Sequence, residues 1–152
     1  MPPHSFNPCA IVPVFDHEHA VARVVDAVRA AGLPCLLVDD GSGPSCAREL
    51  DRIAATVPHT LVLRLPLNGG KGAAMLAGFA LAWQRGYSHG LQIDADVLEP
   101  SLGNTNRTVG VVSVRQIREL GGLDRNIDGA VLLRGRCAAF SAAAQQASQE
   151  KA

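Results

Sequence analysis

At 152 residues, with 47% hydrophobic and 18% charged content, the chain has the composition of one ordinary globular domain, long enough to build a core. Its 14 basic and 14 acidic side chains cancel and no basic run stands out, which argues against nucleic acid as a partner. No apolar stretch reaches the roughly 20 residues of a membrane span, and the N-terminus lacks a signal peptide's basic and apolar regions, so a cytoplasmic protein is expected.

Residues 8–15 form an apolar run that reads as a buried strand. Val21, Val24, Val25 and Val28 then recur at helical spacing within residues 18–31; Gly32 ends that helix and Pro34 prevents its continuation. Leu36-Leu37-Val38 is a second strand, stopped by the turn Asp39-Asp40-Gly41-Ser42-Gly43. A second helical stripe follows at Ala47, Leu50, Ile53, Ala54 and Val57. Leu61-Val62-Leu63 is a third strand, closed by Pro66, and residues 72–85 read as a third helix facing inward through Leu76, Phe79, Ala80 and Trp83. Gly90-Leu91-Gln92-Ile93 is a fourth strand. Cys9 and Cys35 sit in strand-like runs, and none of the four cysteines has C-x-x-C spacing, so buried free thiols are expected.

Beyond Asp96 the pattern loosens: residues 109–114 read as a strand, 115–120 as a short helix, 121–124 as a turn and 137–148 as a helix-prone segment rich in alanine and glutamine. Strands that are apolar throughout, alternating with helices, build a parallel sheet covered on both faces. The polar segments Asp16/Glu18, Asp39–Ser42, Asn68–Gly72 and Asp94–Asp96 each follow a strand. They therefore gather at the carboxyl edge of the sheet, where open α/β sheets bind ligands.

Two of these segments carry chemistry. Asn68-Gly69-Gly70-Lys71-Gly72-Ala73-Ala74 is a glycine-rich loop with one lysine opening a helix, and a lysine with backbone N–H groups at a helix start suits a phosphate. Lys71 is the only lysine before Lys151, although any exposed loop can carry a lysine and glycines can simply shape a turn. Gly72 after Lys71 breaks the Walker A pattern, which argues against ATPase-type chemistry. Gln92-Ile93-Asp94-Ala95-Asp96 is a strand ending in two carboxylates. Surface Asp pairs are common, but neighbouring carboxylates at a strand end repel one another, and a hard divalent cation, Mg²⁺ or Mn²⁺, would relieve that repulsion and bridge to a phosphate. Asp39-Asp40-Gly41-Ser42 taken alone reads first as a turn with the cap of the following helix; the functional alternative is an acceptor for a base N–H. His17, His19, His59 and His89 have no spacing suited to zinc, and Trp83 reads as core.

With these motifs in order, residues 8–96 resemble the nucleotide-binding half of an inverting family 2 glycosyltransferase of GT-A fold, in the style of the dolichyl-phosphate-mannose synthases. Ile11-Val12-Pro13-Val14-Phe15-Asp16 with Glu18 resembles the family's opening strand, and Val38-Asp39-Asp40-Gly41-Ser42 its second-strand motif. The glycine loop resembles the family's diphosphate-side loop, and Asp94-Ala95-Asp96 its D-x-D signature. The resemblance implies an α/β, parallel-sheet GT-A (Rossmann-like) domain that binds a nucleotide-diphospho-sugar through Pro13, Val14, Asp16, Glu18, Asp39, Asp40, Lys71 and Asp94. It places a Mg²⁺ or Mn²⁺ ion on Asp96.

The departures lie further along. Val97-Leu98-Glu99-Pro100 replaces the Gly-Gln-His and proline usual after the D-x-D, and no family base motif follows; the base stays unassigned, with Asp128 as a candidate. The expected organisation is residues 1–96 as the nucleotide-sugar-binding half and 97–152 as a shortened, poorly defined C-terminal part of the same domain. The implied activity is sugar transfer to an acceptor hydroxyl or polyprenyl phosphate, with peripheral membrane association through a lipid-linked acceptor and little turnover by the isolated chain. The rival expectation is a non-catalytic nucleotide-sugar-binding or interaction module completed by a partner chain. A nucleotidyltransferase is disfavoured, because Phe15-Asp16-His17-Glu18 stands where that group carries a glycine- and arginine-rich loop.

Overall fold

The computed structural model describes residues 5–96, 98, 109–115 and 131–133. Elements run β1 (Pro8–Val14), α1 (Val21–Ala30), β2 (Cys35–Asp39), α2 (Pro44–Thr56), β3 (Thr60–Arg64), α3 (Lys71–Gln84), β4 (His89–Ile93), β5 (Val109–Ser113) and β6 (Val131–Leu133). One six-stranded sheet has the order β5-β4-β1-β2-β3-β6. The strands β4, β1, β2 and β3 are parallel, as the sequence predicts. The edges differ: β5 pairs antiparallel with β4, and β6 antiparallel with β3. A three-residue strand such as β6 carries no periodicity of its own, and its pairing partner lies far away in sequence.

The alternation of side chains along the strands divides the core into two layers. Ala10, Val12 and Val14 of β1 and Cys35 and Leu37 of β2 pack with Val21, Val24, Val25 and Val28 of α1 and Leu50 and Ile53 of α2. Cys9 and Ile11 of β1 and Leu36 and Val38 of β2 face the other way, onto Ala74, Ala77 and Leu81 of α3. Cys9, Cys35 and Cys46 are buried free thiols, and burial pushes those of Cys9 and Cys35 up to about 12.

Helices α1 and α2 lie on one face because β1, β2 and β3 advance in one direction, and right-handed crossovers put both connections on the same side. The connection from β3 to β4 reverses direction across β1, which sends α3 to the opposite face. The strand order therefore switches between β1 and β4, and their carboxyl ends diverge to open a crevice.

Helix α1 begins at Val21, later than the apolar pattern suggests, because residues 18–20 make a turn in which Ala20 and Val21 donate to the His17 carbonyl. Helix α3 is apolar on nearly every side, so its stripe misleads about orientation. It packs tightly on the sheet at Gly78, where a Cβ would lie 2.4 Å from Ile11 Cγ2 and 3.1 Å from Val38 Cγ2. Trp83, about half a turn around the helix from Gly78, is 39% exposed and Leu76 is only partly buried, which corrects the core assignment of both. Phe79 and Ala80 are buried as the stripe predicts, and Ala74, Ala77, Gly78 and Leu81 share the inward face with them.

Gly78→Ala is expected to destabilise the fold by about 1–3 kcal/mol through overpacking. Gly72→Ala, whose Cβ meets nothing within 4 Å, should be neutral or stabilising by up to about 1 kcal/mol. Urea unfolding followed by circular dichroism checks both; equal effects would mean that α3 does not seat on the sheet through Gly78.

Candidate functional site

Four loops meet at the carboxyl edge of the parallel strands. After β1, Asp16 adopts φ 54°, and its Oδ1 accepts the Gly43 N–H at 2.8 Å while its own N–H donates to Ser42 Oγ at 3.1 Å. These bonds join the first loop to the start of α2.

The two aspartates after β2 have different tasks. Asp39 is fully buried; its Oδ1 accepts the Ser42 N–H at 2.9 Å, and its Oδ2 accepts Arg64 Nε at 2.7 Å. Arg64, at the end of β3, also donates through Nη2 to Asp51 Oδ1 at 2.9 Å and to the Ala47 carbonyl at 3.1 Å. The ion pair follows from strand register, since Asp39 and Arg64 are directly paired across β2 and β3. Asp40 is 3% exposed and turns the other way, accepting the N–H groups of Gly69 at 2.9 Å and Gly70 at 3.0 Å.

Gly41 makes that contact sterically feasible. At φ +74° it packs so closely on the third loop that a Cβ would lie 2.4 Å from the Asn68 nitrogen and 2.8 Å from the Leu67 carbonyl carbon. Gly70, at φ +91°, then turns the chain into α3. The expectation that glycine-loop N–H groups face a phosphate is thus corrected for Gly69 and Gly70, whose N–H groups Asp40 takes. Lys71 opens the helix, and its Nζ lies 2.5 Å from Asp94 Oδ1 at the end of β4.

A cavity of about 360 Å³ occupies the crevice, in the size range of small-molecule sites. Its walls are Pro13, Val14, Phe15 and His17 from the β1 side, Asp40, Asn68, Gly70 and Lys71 from the second and third loops, and Asp94–Asp96 from β4. Of the residues singled out from sequence, Pro13, Val14, Asp40, Lys71, Asp94 and Asp96 are brought together on this cavity, whereas Asp16, Glu18 and Asp39 do not line it. Phe15, His17 and Asn68 line it without having been named as site residues, although each lies inside a motif that was. Arg64 was missed; its signal was an opposite charge in register with Asp39 at the ends of neighbouring strands. Asp128 lies outside the described residues.

Among the described residues no group of three or more His, Cys, Asp or Glu side chains could hold a metal ion on its own. The donor set that is present, two carboxylates at a strand end beside a cavity with one ammonium, suits Mg²⁺ or Mn²⁺. Such ions are held by one or two carboxylates and complete their shell with phosphate oxygens and water.

Residues 9–98 match the family model Glycosyl transferase family 2, over more than half of the chain. The chain belongs to this family. A polyprenol monophosphomannose synthase of Mycolicibacterium smegmatis is 34% identical over 89 residues, covering 57% of this chain and 34% of that protein. Among solved structures, a mannosyltransferase from Pyrobaculum calidifontis in complex with GDP-Man and Mn²⁺ superposes with a TM-score of 0.51 at 20% identity, over 65% of this chain and 30% of that one. At that identity the superposition establishes the α/β GT-A-like fold. The chain spans about a third of the length of both proteins. Among the described residues of this family 2 domain, no helix is long and apolar enough to cross a membrane.

Arg64→Leu should destabilise this family 2 domain by about 2–3 kcal/mol, because it strands the buried Asp39 carboxylate. The value falls below that of a fully buried pair because the Arg64 side chain is 26% exposed. Adding Asp39→Asn should restore part of the loss, measured by urea unfolding; no difference between the single and double variants would show that the pair is not coupled.

Proposed function

We propose that residues 1–96 are the donor half of a family 2 glycosyltransferase, binding a nucleotide-diphospho-sugar with Mg²⁺ or Mn²⁺, and that residues 97–152 belong to the same domain on the acceptor side. The observation that carries this reading is the meeting of Lys71, Asp94 and Asp96 on one cavity at the switch point of the sheet. GDP-mannose is the donor to test first and a polyprenyl phosphate the acceptor, by analogy with the relatives just described. Buried free thiols at Cys9, Cys35 and Cys46 fit a reducing compartment, so we place the domain on the cytoplasmic side.

In this reading Asp96 holds the cation, Asp94 faces the ribose side, and Lys71 supplies a compact positive charge to the phosphates. Asp40, already committed to the loop N–H groups, holds the loop in shape, and the base contacts fall to the cavity wall formed by Pro13, Val14 and Phe15. Asp16 and Asp39 act behind the wall by fixing the loops. When bound, the cation neutralises charge on the departing diphosphate as a Lewis acid. Transfer breaks the bond from the anomeric carbon to the diphosphate oxygen and forms one to the acceptor oxygen, with inversion. A phosphate-monoester acceptor is ionised near neutral pH and needs no general base; a hydroxyl acceptor needs one, for which Asp128 remains the candidate.

With GDP at about a hundredfold excess over Kd, the melting temperature should rise by on the order of 5 °C when Mn²⁺ or Mg²⁺ is present, and far less without it. Asp96→Ala should abolish the metal-dependent part. Equal stabilisation with and without metal would sink the role of this aspartate. Multiple turnover of labelled GDP-mannose onto polyprenyl phosphate would separate an enzyme from a binding module.

Lys71→Ala should weaken GDP binding by roughly tenfold while leaving guanosine nearly unaffected, because the lost charge acts on phosphate alone. Calorimetric titration of both ligands checks this. Equal losses would mean that Lys71 shapes the loop and does not contact the diphosphate.

A further inference from the structure

The charges around the cavity are not independent of one another. Asp94 Oδ1 and Lys71 Nζ are 2.5 Å apart, with the carboxylate side chain 15% exposed and the lysine 47%. The lysine backbone cannot shift freely, because Gly69 and Gly70 just before it are tied to Asp40 and helix α3 follows it directly. The ammonium therefore chooses among acceptors by rotating its flexible stem, not by moving its loop.

From this geometry we infer that Lys71 is an internal counter-ion for Asp94, which keeps a divalent cation off the Asp94/Asp96 pair until a diphosphate arrives to take the lysine. The inference rests on the donor-site reading and adds an order to it. A dication approaching Asp94 and Asp96 without nucleotide meets an ammonium already seated on one of the two carboxylates. It would have to displace that ammonium or bind beside it, and either costs Coulomb energy. A diphosphate offers the ammonium several anionic oxygens and offers the cation ligands of its own. Once Lys71 turns to the phosphate, the Asp94 carboxylate is released toward the bound donor and the repulsion of the cation by the lysine is offset by phosphate charge. Cation and diphosphate then favour each other's binding, and by linkage the coupling is reciprocal. Without the lysine, no ammonium would oppose a cation at Asp94 and Asp96.

The same pair could be an ordinary exposed ion pair that trims stability slightly and nothing more. The two descriptions part on cation affinity in the absence of nucleotide. Mn²⁺ binding to the whole chain is measured from the electron paramagnetic resonance signal of free Mn²⁺, with and without GDP. The wild type is compared with Lys71→Met, Lys71→Gln and Lys71→Arg, each confirmed as folded by circular dichroism. Lys71→Met and Lys71→Gln should bind Mn²⁺ alone roughly three- to tenfold more tightly than wild type. In both, the enhancement of Mn²⁺ affinity by GDP should shrink by a similar factor. Lys71→Arg keeps the charge and should behave as wild type.

Unchanged or weaker Mn²⁺ affinity in both neutral variants, with GDP still enhancing Mn²⁺ binding in wild type, overturns the counter-ion role and leaves the donor site standing. If GDP enhances Mn²⁺ binding in none of the four proteins, the donor-site reading fails and this inference falls with it.

Discussion

Two backbone N–H groups, those of Gly69 and Gly70, end on the carboxylate of Asp40, and the rest of the site is arranged around that contact. A carboxylate buried to 3% exposure needs donors, and a glycine loop without partners has many conformations to choose from. Each satisfies the other. The contact is sterically open because Gly41 lacks a Cβ that would strike the Asn68 backbone. The second and third loops thus become one unit, braced from behind by Arg64, which links Asp39 to Asp51 and Ala47 of α2. Across the switch point, β4 delivers Asp94 and Asp96 to the opposite wall.

The architecture was largely legible in the sequence. Strands apolar on both faces, separated by amphipathic helices and punctuated by Gly32, Pro34, Pro66 and Gly86, determine a covered parallel sheet, and each polar motif follows a strand. What was not legible depends on distant pairing. The antiparallel edges β5 and β6 have no periodic signature that records direction. The inward face of α3 is only half legible because the helix is apolar nearly all round: Phe79 and Ala80 are buried as expected, whereas Gly78 rather than Trp83 meets the sheet. Within the site, sequence order could not divide labour between Asp39 and Asp40. Neighbouring residues at a strand end point to opposite sides, and which one meets Arg64 depends on register.

Neutralising each aspartate by a different device has a consequence for the stability of the domain without ligand. Asp39 has a guanidinium, Asp40 has two N–H dipoles, and Asp94 has the Lys71 ammonium. The first two partners are fixed to the framework: Arg64 is held by three acceptors, and the glycine N–H groups belong to the main chain. Displacing Arg64 breaks three side-chain hydrogen bonds at once, and displacing the glycine N–H groups means moving the loop itself. Lys71 is different in kind, because its ammonium sits at the tip of its own flexible, half-exposed stem.

That difference separates scaffold from site more sharply than burial does. Asp39 and Asp40 are both nearly inaccessible, yet Asp40 lines the cavity and Asp39 does not. Exchange of partners is easiest at Asp94, since the Lys71 ammonium sits on a half-exposed flexible stem while Arg64 is held by three acceptors and the glycine N–H groups belong to the main chain. On the donor-site reading, a diphosphate arriving at the crevice meets the flexible Lys71 ammonium in a framework held by fixed hydrogen bonds. The energy of binding can be directed into rearranging a single ion pair. On the proposed reading as a donor half this matters chemically, because the charge that develops on a leaving diphosphate must be met by groups already in position. Loops held by Asp39, Asp40 and Arg64 give that preorganisation, and the flexible Lys71 keeps Asp94 paired while no donor is bound.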